Sequence, residues 1–333
     1  MTQAVTNFKT EFTIDSLREF SARDMKRVNR VITENLTSRV ALVNQLSHHI
    51  INSGGKRLRP LLVILAAKAC GYKGENDALL AAVVEFIHTA TLLHDDVVDD
   101  SEMRRGQKTA SNIWGNEAAV LVGDYLYSRA FQLMVKANSL RVMDLLANAT
   151  NTIAQGEVLQ LLNINDPDTT EEKYYEVIYG KTACLFEAAT RLGAVISGSN
   201  AKIEYALKNY GKHLGIAFQL VDDALDYIAD SDDLGKNTGD DLAEGKPTLP
   251  LIYALKNGDK KQQQLIRNAI KNGGLDQLEA VSKAILDTGA IKYTHQQAIA
   301  EAKLAKEALI MLPRSPYKQA LGFLADYAVE RSY

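Results

Sequence analysis

The chain has 333 residues, 46% of them hydrophobic, and a formal net charge of -3 from 38 basic and 41 acidic side chains. That length allows a large core, and interspersed charges in near balance give no nucleic-acid-binding face and no basic lipid-binding tail. Only 6 prolines and 21 glycines interrupt apolar residues spaced at the helical three and four, so an all-α protein is expected, a single large bundle of about 12–14 helices.

In chain order, residues 1–14 read as a flexible leader and 15–333 as one helical domain, because no linker-like stretch divides them. Met1 to Asp15 lacks a basic start and an apolar run, and no stretch reads as a transmembrane segment, so a cytoplasmic protein is expected. Ser16 to Ile32 and Leu36 to Ile51 are expected helices, and Gly54-Gly55 breaks the second. Lys56, Arg57 and Arg59 precede a helix from Leu61 to Ala69 that Pro60 can start. The next helix, Asp77 to Asp99, is apolar until its last turn, and Ser101 to Thr109 reads as a polar loop. Helices follow over Glu117 to Ala137, Leu140 to Leu162, Thr170 to Ile196 and Lys202 to Ala229. Asp230 to Pro250, rich in charge, glycine and proline, reads as a functional loop, and about five shorter helices complete the chain. Cys70 and Cys184 lie far apart in helical patterns and read as reduced, buried thiols.

Charge concentrates where it costs most. Asp95, Asp96 and Asp99 end one apolar helix, and Asp222, Asp223 and Asp226 repeat the pattern at the end of another. Positions four apart share a helical face, like charges there repel, and the helix dipole disfavours anions at a C-terminus. One such cluster is usually a solvated helix end; two copies point to one site on facing helices, with a divalent cation between the carboxylates. Carboxylate oxygens suit Mg²⁺, which commonly shares its remaining positions with substrate phosphates. Lys56, Arg57 and Arg59, then Arg104 and Arg105, bracket the first cluster in sequence, and Lys181, Lys236 and Lys246 add further phosphate-binding charge.

Gly54-Gly55-Lys56-Arg57-Leu58-Arg59-Pro60, Leu93-His94-Asp95-Asp96-Val97-Val98-Asp99-Asp100 with Arg104-Arg105-Gly106, Gly123-Asp124-Tyr125-Leu126, Gly180-Lys181-Thr182, Phe218-Gln219-Leu220-Val221-Asp222-Asp223-Ala224-Leu225-Asp226 and Gly235-Lys236-Asn237-Thr238-Gly239-Asp240-Asp241 stand here in one order. Together they resemble the trans-prenyltransferases that make polyprenyl diphosphates, and most of all the bacterial branch with octaprenyl products. The resemblance spans roughly residues 35–330 and implies an isoprenoid-synthase bundle around a central cavity.

It also implies roles. The six aspartates would bind about three Mg²⁺ around an allylic diphosphate, with Arg104, Lys181, Gln219, Lys236 and Lys246 beside it. Lys56, Arg59, His88 and Arg105 would hold isopentenyl diphosphate, and main-chain dipoles near Lys181 and Thr182, with Gln219 and Phe218, would stabilise an allylic cation. Repeated condensation, with farnesyl diphosphate the expected primer, would give a chain of C30 to C50, first of all C40, for a quinone side chain. The growing tail is hydrocarbon whose burial is favourable by about 0.8 kcal/mol per methylene, so only a blocking side chain stops it. Ala90 and Thr91 leave the space below the first cluster open, so Phe131, Leu133 or Met134 would supply the floor. A homodimer through the helices between Glu117 and Leu162, and transient membrane contact for product release, are further expectations. Rival readings are a synthase with shorter products, a class I terpene cyclase, against which the second Asp-Asp-x-x-Asp speaks, and a non-catalytic synthase subunit, which typically lacks one intact cluster.

Overall fold

A computed structural model describes residues 12–52, 55, 57–104, 106–228 and 239–330. Sixteen α-helices and one two-stranded hairpin are present among them. The bundle is therefore all-α, with more helices than expected. The surplus comes from two short helices, α5 (Ala110–Trp114) and α11 (Asp240–Ala243), and from a helix that is split in two.

The chain enters through α1 (Ile14–Asn35), started by Thr13, whose hydroxyl accepts the Ser16 N–H while the Ser16 hydroxyl accepts the Thr13 N–H. Helix α2 (Ala41–Asn52) begins five residues later than the sequence suggests, and α3 (Leu58–Ala69) follows. Helix α4 (Asn76–Val98) is apolar on nearly every face, so it can only lie inside the protein, and all of it from Leu80 to Val84 is buried. By length and composition α4 could cross a membrane, but 67% of its most apolar window is buried within the fold. The expected polar loop after it contains an antiparallel hairpin, β1 (Met103–Arg104) with β2 (Gln107–Lys108).

Helices α6 (Asn116–Lys136) and α7 (Leu140–Asn163) match the expected segments closely. The expected helix from Thr170 to Ile196 is two, α8 (Glu171–Ile178) and α9 (Cys184–Ile196), joined by one π-helical turn, Tyr179–Ala183. The turn is pressed against α7: a Cβ added at Gly156 would sit 2.7 Å from the Gly180 carbonyl carbon and the Lys181 nitrogen. Two backbones touch there, which only glycine on glycine allows, and the widened turn aims Lys181 across the crossing. Helix α10 (Ala201–Leu225) follows, and the smaller helices α12 (Leu249–Asn257), α13 (Lys260–Asn272), α14 (Leu278–Asp287), α15 (Ala290–Ala308) and α16 (Pro316–Glu330) complete the bundle. The main core joins α1 to α7, α9, α10 and α16, a smaller apolar cluster lies under α11 to α14, and a third packs α8 against α10. Cys70 and Cys184 are both free thiols.

Candidate active site

The C-terminal ends of α4 and α10 open on one cavity of about 910 Å³. Of the six aspartates, Asp95, Asp99, Asp222, Asp223 and Asp226 contribute to its wall. The clusters nevertheless divide by helical angle. Asp96, 100° round the helix from Asp95, is buried, and its Oδ1 accepts Arg104 Nε at 2.6 Å. Asp223 is buried too, accepting Tyr174 Oη at 2.5 Å on one oxygen and Gln219 Nε2 at 2.7 Å on the other. Burial raises both carboxyls above the usual range, Asp223 well above it with Asp241 adding to the effect, while the donors just named work against the rise. The second aspartate of each cluster is thus buried against protein donors, with Asp223 still touching the cavity wall, while the first and third are more open to the cavity.

Cations compensate the anions at the end of α4. Lys181 Nζ lies 3.5 Å from Asp95 and 2.8 Å from Glu157, and donates to Gln160 Oε1 at 2.7 Å. Lys246 Nζ lies 2.9 Å from Asp99 and also pairs with Glu244. Burial disfavours both ammonium ions, yet Asp95 with Glu157, and Asp99 with Glu244, outweigh it and raise both above the ordinary lysine value. The Glu157 carboxyl is pushed up to about 7, mainly by burial and then by Asp95, with Lys181 opposing.

About 10 Å back along α4, His88 meets Arg59 from α3. Arg59 Nη1 donates to His88 Nε2 at 3.0 Å, and the guanidinium carbon lies 4.6 Å from the centroid of the Phe186 ring. Arg59 has no acceptor atom, so His88 presents a bare Nε2 and carries its proton on Nδ1. Between the two ends the wall is Thr91, Ile178 and Phe218. Thr182 Oγ1 donates to Gln219 Oε1 at 2.8 Å, so Gln219 is held at both ends of its amide.

The structure thus places Arg59, His88, Thr91, Arg104, Lys181, Thr182, Gln219 and Lys246 on the same cavity as the aspartates. Lys56, Arg105 and Lys236 lie outside the described residues. The expectation for Ala90 is corrected: it is fully buried in the core and not on the cavity wall, because the face four residues before Asp95 belongs to Thr91. Leu133 and Met134 are core residues of α6, whereas Phe131 is 37% exposed, so none of the three meets the cavity. Sequence reading missed Glu157 and Gln160. An acid and an amide three apart beside a helical glycine were the available signal. It also missed Tyr174, which no local pattern marks.

The donor set fits a hard divalent cation, since carboxylate oxygens on two facing helix ends line a polar cavity. No three His, Cys, Asp or Glu side chains among the described residues converge on one point to cage an ion. Oxygens from a phosphate ligand would have to complete such a coordination shell.

Comparison with known proteins gives close relatives over nearly the whole chain. A family model described as polyprenyl synthetase matches residues 40–287. The chain is 52% identical to the octaprenyl diphosphate synthase of Escherichia coli K12, covering 96% of this chain and 99% of that one. It is 48% identical to an all-trans-nonaprenyl-diphosphate synthase of Rhodobacter capsulatus, over 93% of this chain and 95% of that protein. Among solved structures, a polyprenyl synthase of Caulobacter crescentus CB15 complexed with calcium and isoprenyl diphosphate superposes with a TM-score of 0.93. Its identity is 45%, and the match covers 97% of this chain and 99% of that one.

Proposed function

Because the chain belongs to the polyprenyl synthetase family and is a trans-prenyltransferase most like octaprenyl diphosphate synthases, we propose that it condenses isopentenyl diphosphate repeatedly with an allylic primer, farnesyl diphosphate, to an all-trans C40 diphosphate. One observation carries the reading: a single cavity is lined by two separate charged groups, Asp95, Asp99, Asp222 and Asp226 with Lys181 in one and Arg59 with His88 in the other.

The allylic diphosphate occupies the aspartate end, where Asp95, Asp99, Asp222 and Asp226 would hold about three Mg²⁺. Those ions would neutralise charge accumulating on the leaving group. Lys181, kept in place by Glu157 and Gln160, adds fixed positive charge where the diphosphate oxygens become more negative, and Arg104 binds the diphosphate equally before and during bond breaking. As the allylic C–O bond breaks, the Gln219 amide oxygen and the Phe218 ring face the carbocation. Arg59 and His88, with Lys56 and Arg105, hold isopentenyl diphosphate so that its double bond attacks that carbon. A proton then leaves to an oxygen of the departing diphosphate, and the product is again allylic. Incubation of the purified chain with farnesyl diphosphate, labelled isopentenyl diphosphate and Mg²⁺ tests this: incorporation that stops on chelation supports it, and no incorporation overturns it.

The tail grows past Thr91 between α4 and α10. Thr91→Tyr is expected to shorten the products to about C15 or C20, since a ring four residues before Asp95 fills the path and continued burial of methylenes is what draws the chain onward. Sizing the products by chromatography checks it, and an unchanged spectrum would remove Thr91 from the tunnel. The working unit is a homodimer joined through α6 and α7, whose Leu121, Val135, Leu140 and Leu162 are 65–88% exposed in the single chain. The protein is cytoplasmic, its product leaves by transient contact with a membrane, and that product supplies a quinone side chain.

A further inference from the structure

The hairpin β1–β2 is two residues long in each strand, and an isolated pair of this size is marginal in water. It nevertheless carries Arg104, whose Nε must stay 2.6 Å from Asp96 under the aspartate end of the cavity. Met103, Gln107 and Lys108 are exposed, so little apolar burial secures it. Two ties come from its own flank: Thr109 N–H donates to Glu102 O at 3.0 Å, and Thr109 Oγ1 to Ser101 O at 2.7 Å. A third comes from 59 residues away. His49 on α2 bonds through Nε2 to the Lys108 carbonyl at 3.0 Å, and because a carbonyl only accepts, the imidazole is the donor. The His49 ring is fixed in turn, edge-on to Trp114 of α5 with centroids 5.2 Å apart. His49, Arg104, Asp96 and Lys108 surround one small void, so α2, α4, α5 and the hairpin meet at this point.

We propose that His49 is a positioning residue: its N–H latches the hairpin to α2 and thereby sets Arg104 against Asp96 and the diphosphate-binding end of the cavity. His49 touches no substrate. Its effect travels through the Lys108 carbonyl, across the register that pairs Met103 with Lys108 and Arg104 with Gln107. This inference rests on the diphosphate-binding reading of the site, because only a diphosphate makes the aim of Arg104 matter for turnover.

Two substitutions separate donor from bulk. His49→Leu fills the space and cannot donate, while His49→Gln places an amide N–H at about the reach of Nε2. His49→Leu should raise KM for the allylic diphosphate about tenfold with kcat within about twofold, the scale expected when a charged group drifts by less than an ångström. His49→Gln should restore most of the loss. In a double-mutant cycle, adding His49→Leu to Arg104→Ala should change KM no further, since the latch acts only through Arg104. His49→Ala replaces the leucine variant if that one does not fold. Wild-type KM in His49→Leu, a glutamine variant as impaired as the leucine one, or full additivity with Arg104→Ala would each overturn the latch. Activity of the unsubstituted chain in the same assay keeps the function reading separate: if that is absent, the reading of the site fails, not the latch alone.

Discussion

Gly156→Ala is expected to lower kcat/KM about a hundredfold although no substrate touches Gly156, because an ångström of displacement at a catalytic group costs about that much. The added Cβ would lie 2.7 Å from two backbone atoms, the Gly180 carbonyl carbon and the Lys181 nitrogen, and no side-chain rotation relieves backbone against backbone. The π turn must move, taking Lys181 from Glu157, Gln160 and Asp95, and Thr182 from Gln219. Overpacking of this kind also costs about 1–3 kcal/mol of stability. Gly180→Ala, whose Cβ would meet the Gly156 Cα at 2.8 Å, should behave alike. Steady-state kinetics with thermal unfolding checks both variants, and near-normal turnover in either would show that the glycine contact does not aim Lys181.

The second large effect distinguishes neighbours. Asp222 is exposed on the cavity wall, so Asp222→Asn should cost about 10³ in kcat/KM while leaving thermal stability within a degree or two. It should also raise the Mg²⁺ concentration needed for half-maximal rate. Asp223 is a different case. Asp223→Ala leaves the buried Tyr174 hydroxyl without an acceptor, at about 1–3 kcal/mol, and frees one Gln219 amide proton, so that variant should lose stability as well as activity. Stability and kinetics of the two variants measured together give the test; equal stability losses at 222 and 223 would contradict the division of each cluster into a cavity-facing and a protein-facing carboxylate.

Much of this site was legible in the chain because helical spacing is a local property. Asp95 with Asp99, Asp222 with Asp226, and His88 two turns before Asp95 all follow from 3.6 residues per turn. What stayed hidden depends on partners distant in sequence. Asp223 is satisfied in its burial by Tyr174, 49 residues away, and the π turn packs on Gly156 of another helix. The hairpin is too short to show a strand period, and its docking residue His49 has no motif around it. Ala90 and Thr91 show how fine the margin is: adjacent residues, one in the core and one on the cavity, separated by a single 100° step whose origin only the packing of α4 sets.

The central claim is repeated condensation in a cavity with two diphosphate-binding ends. Its most direct measurement is the product of the purified chain given Mg²⁺, farnesyl diphosphate and excess labelled isopentenyl diphosphate, dephosphorylated and sized. A dominant C40 alcohol, lost on chelation, is the predicted result; a product arrested after one condensation, or no labelled product at all, would contradict the account.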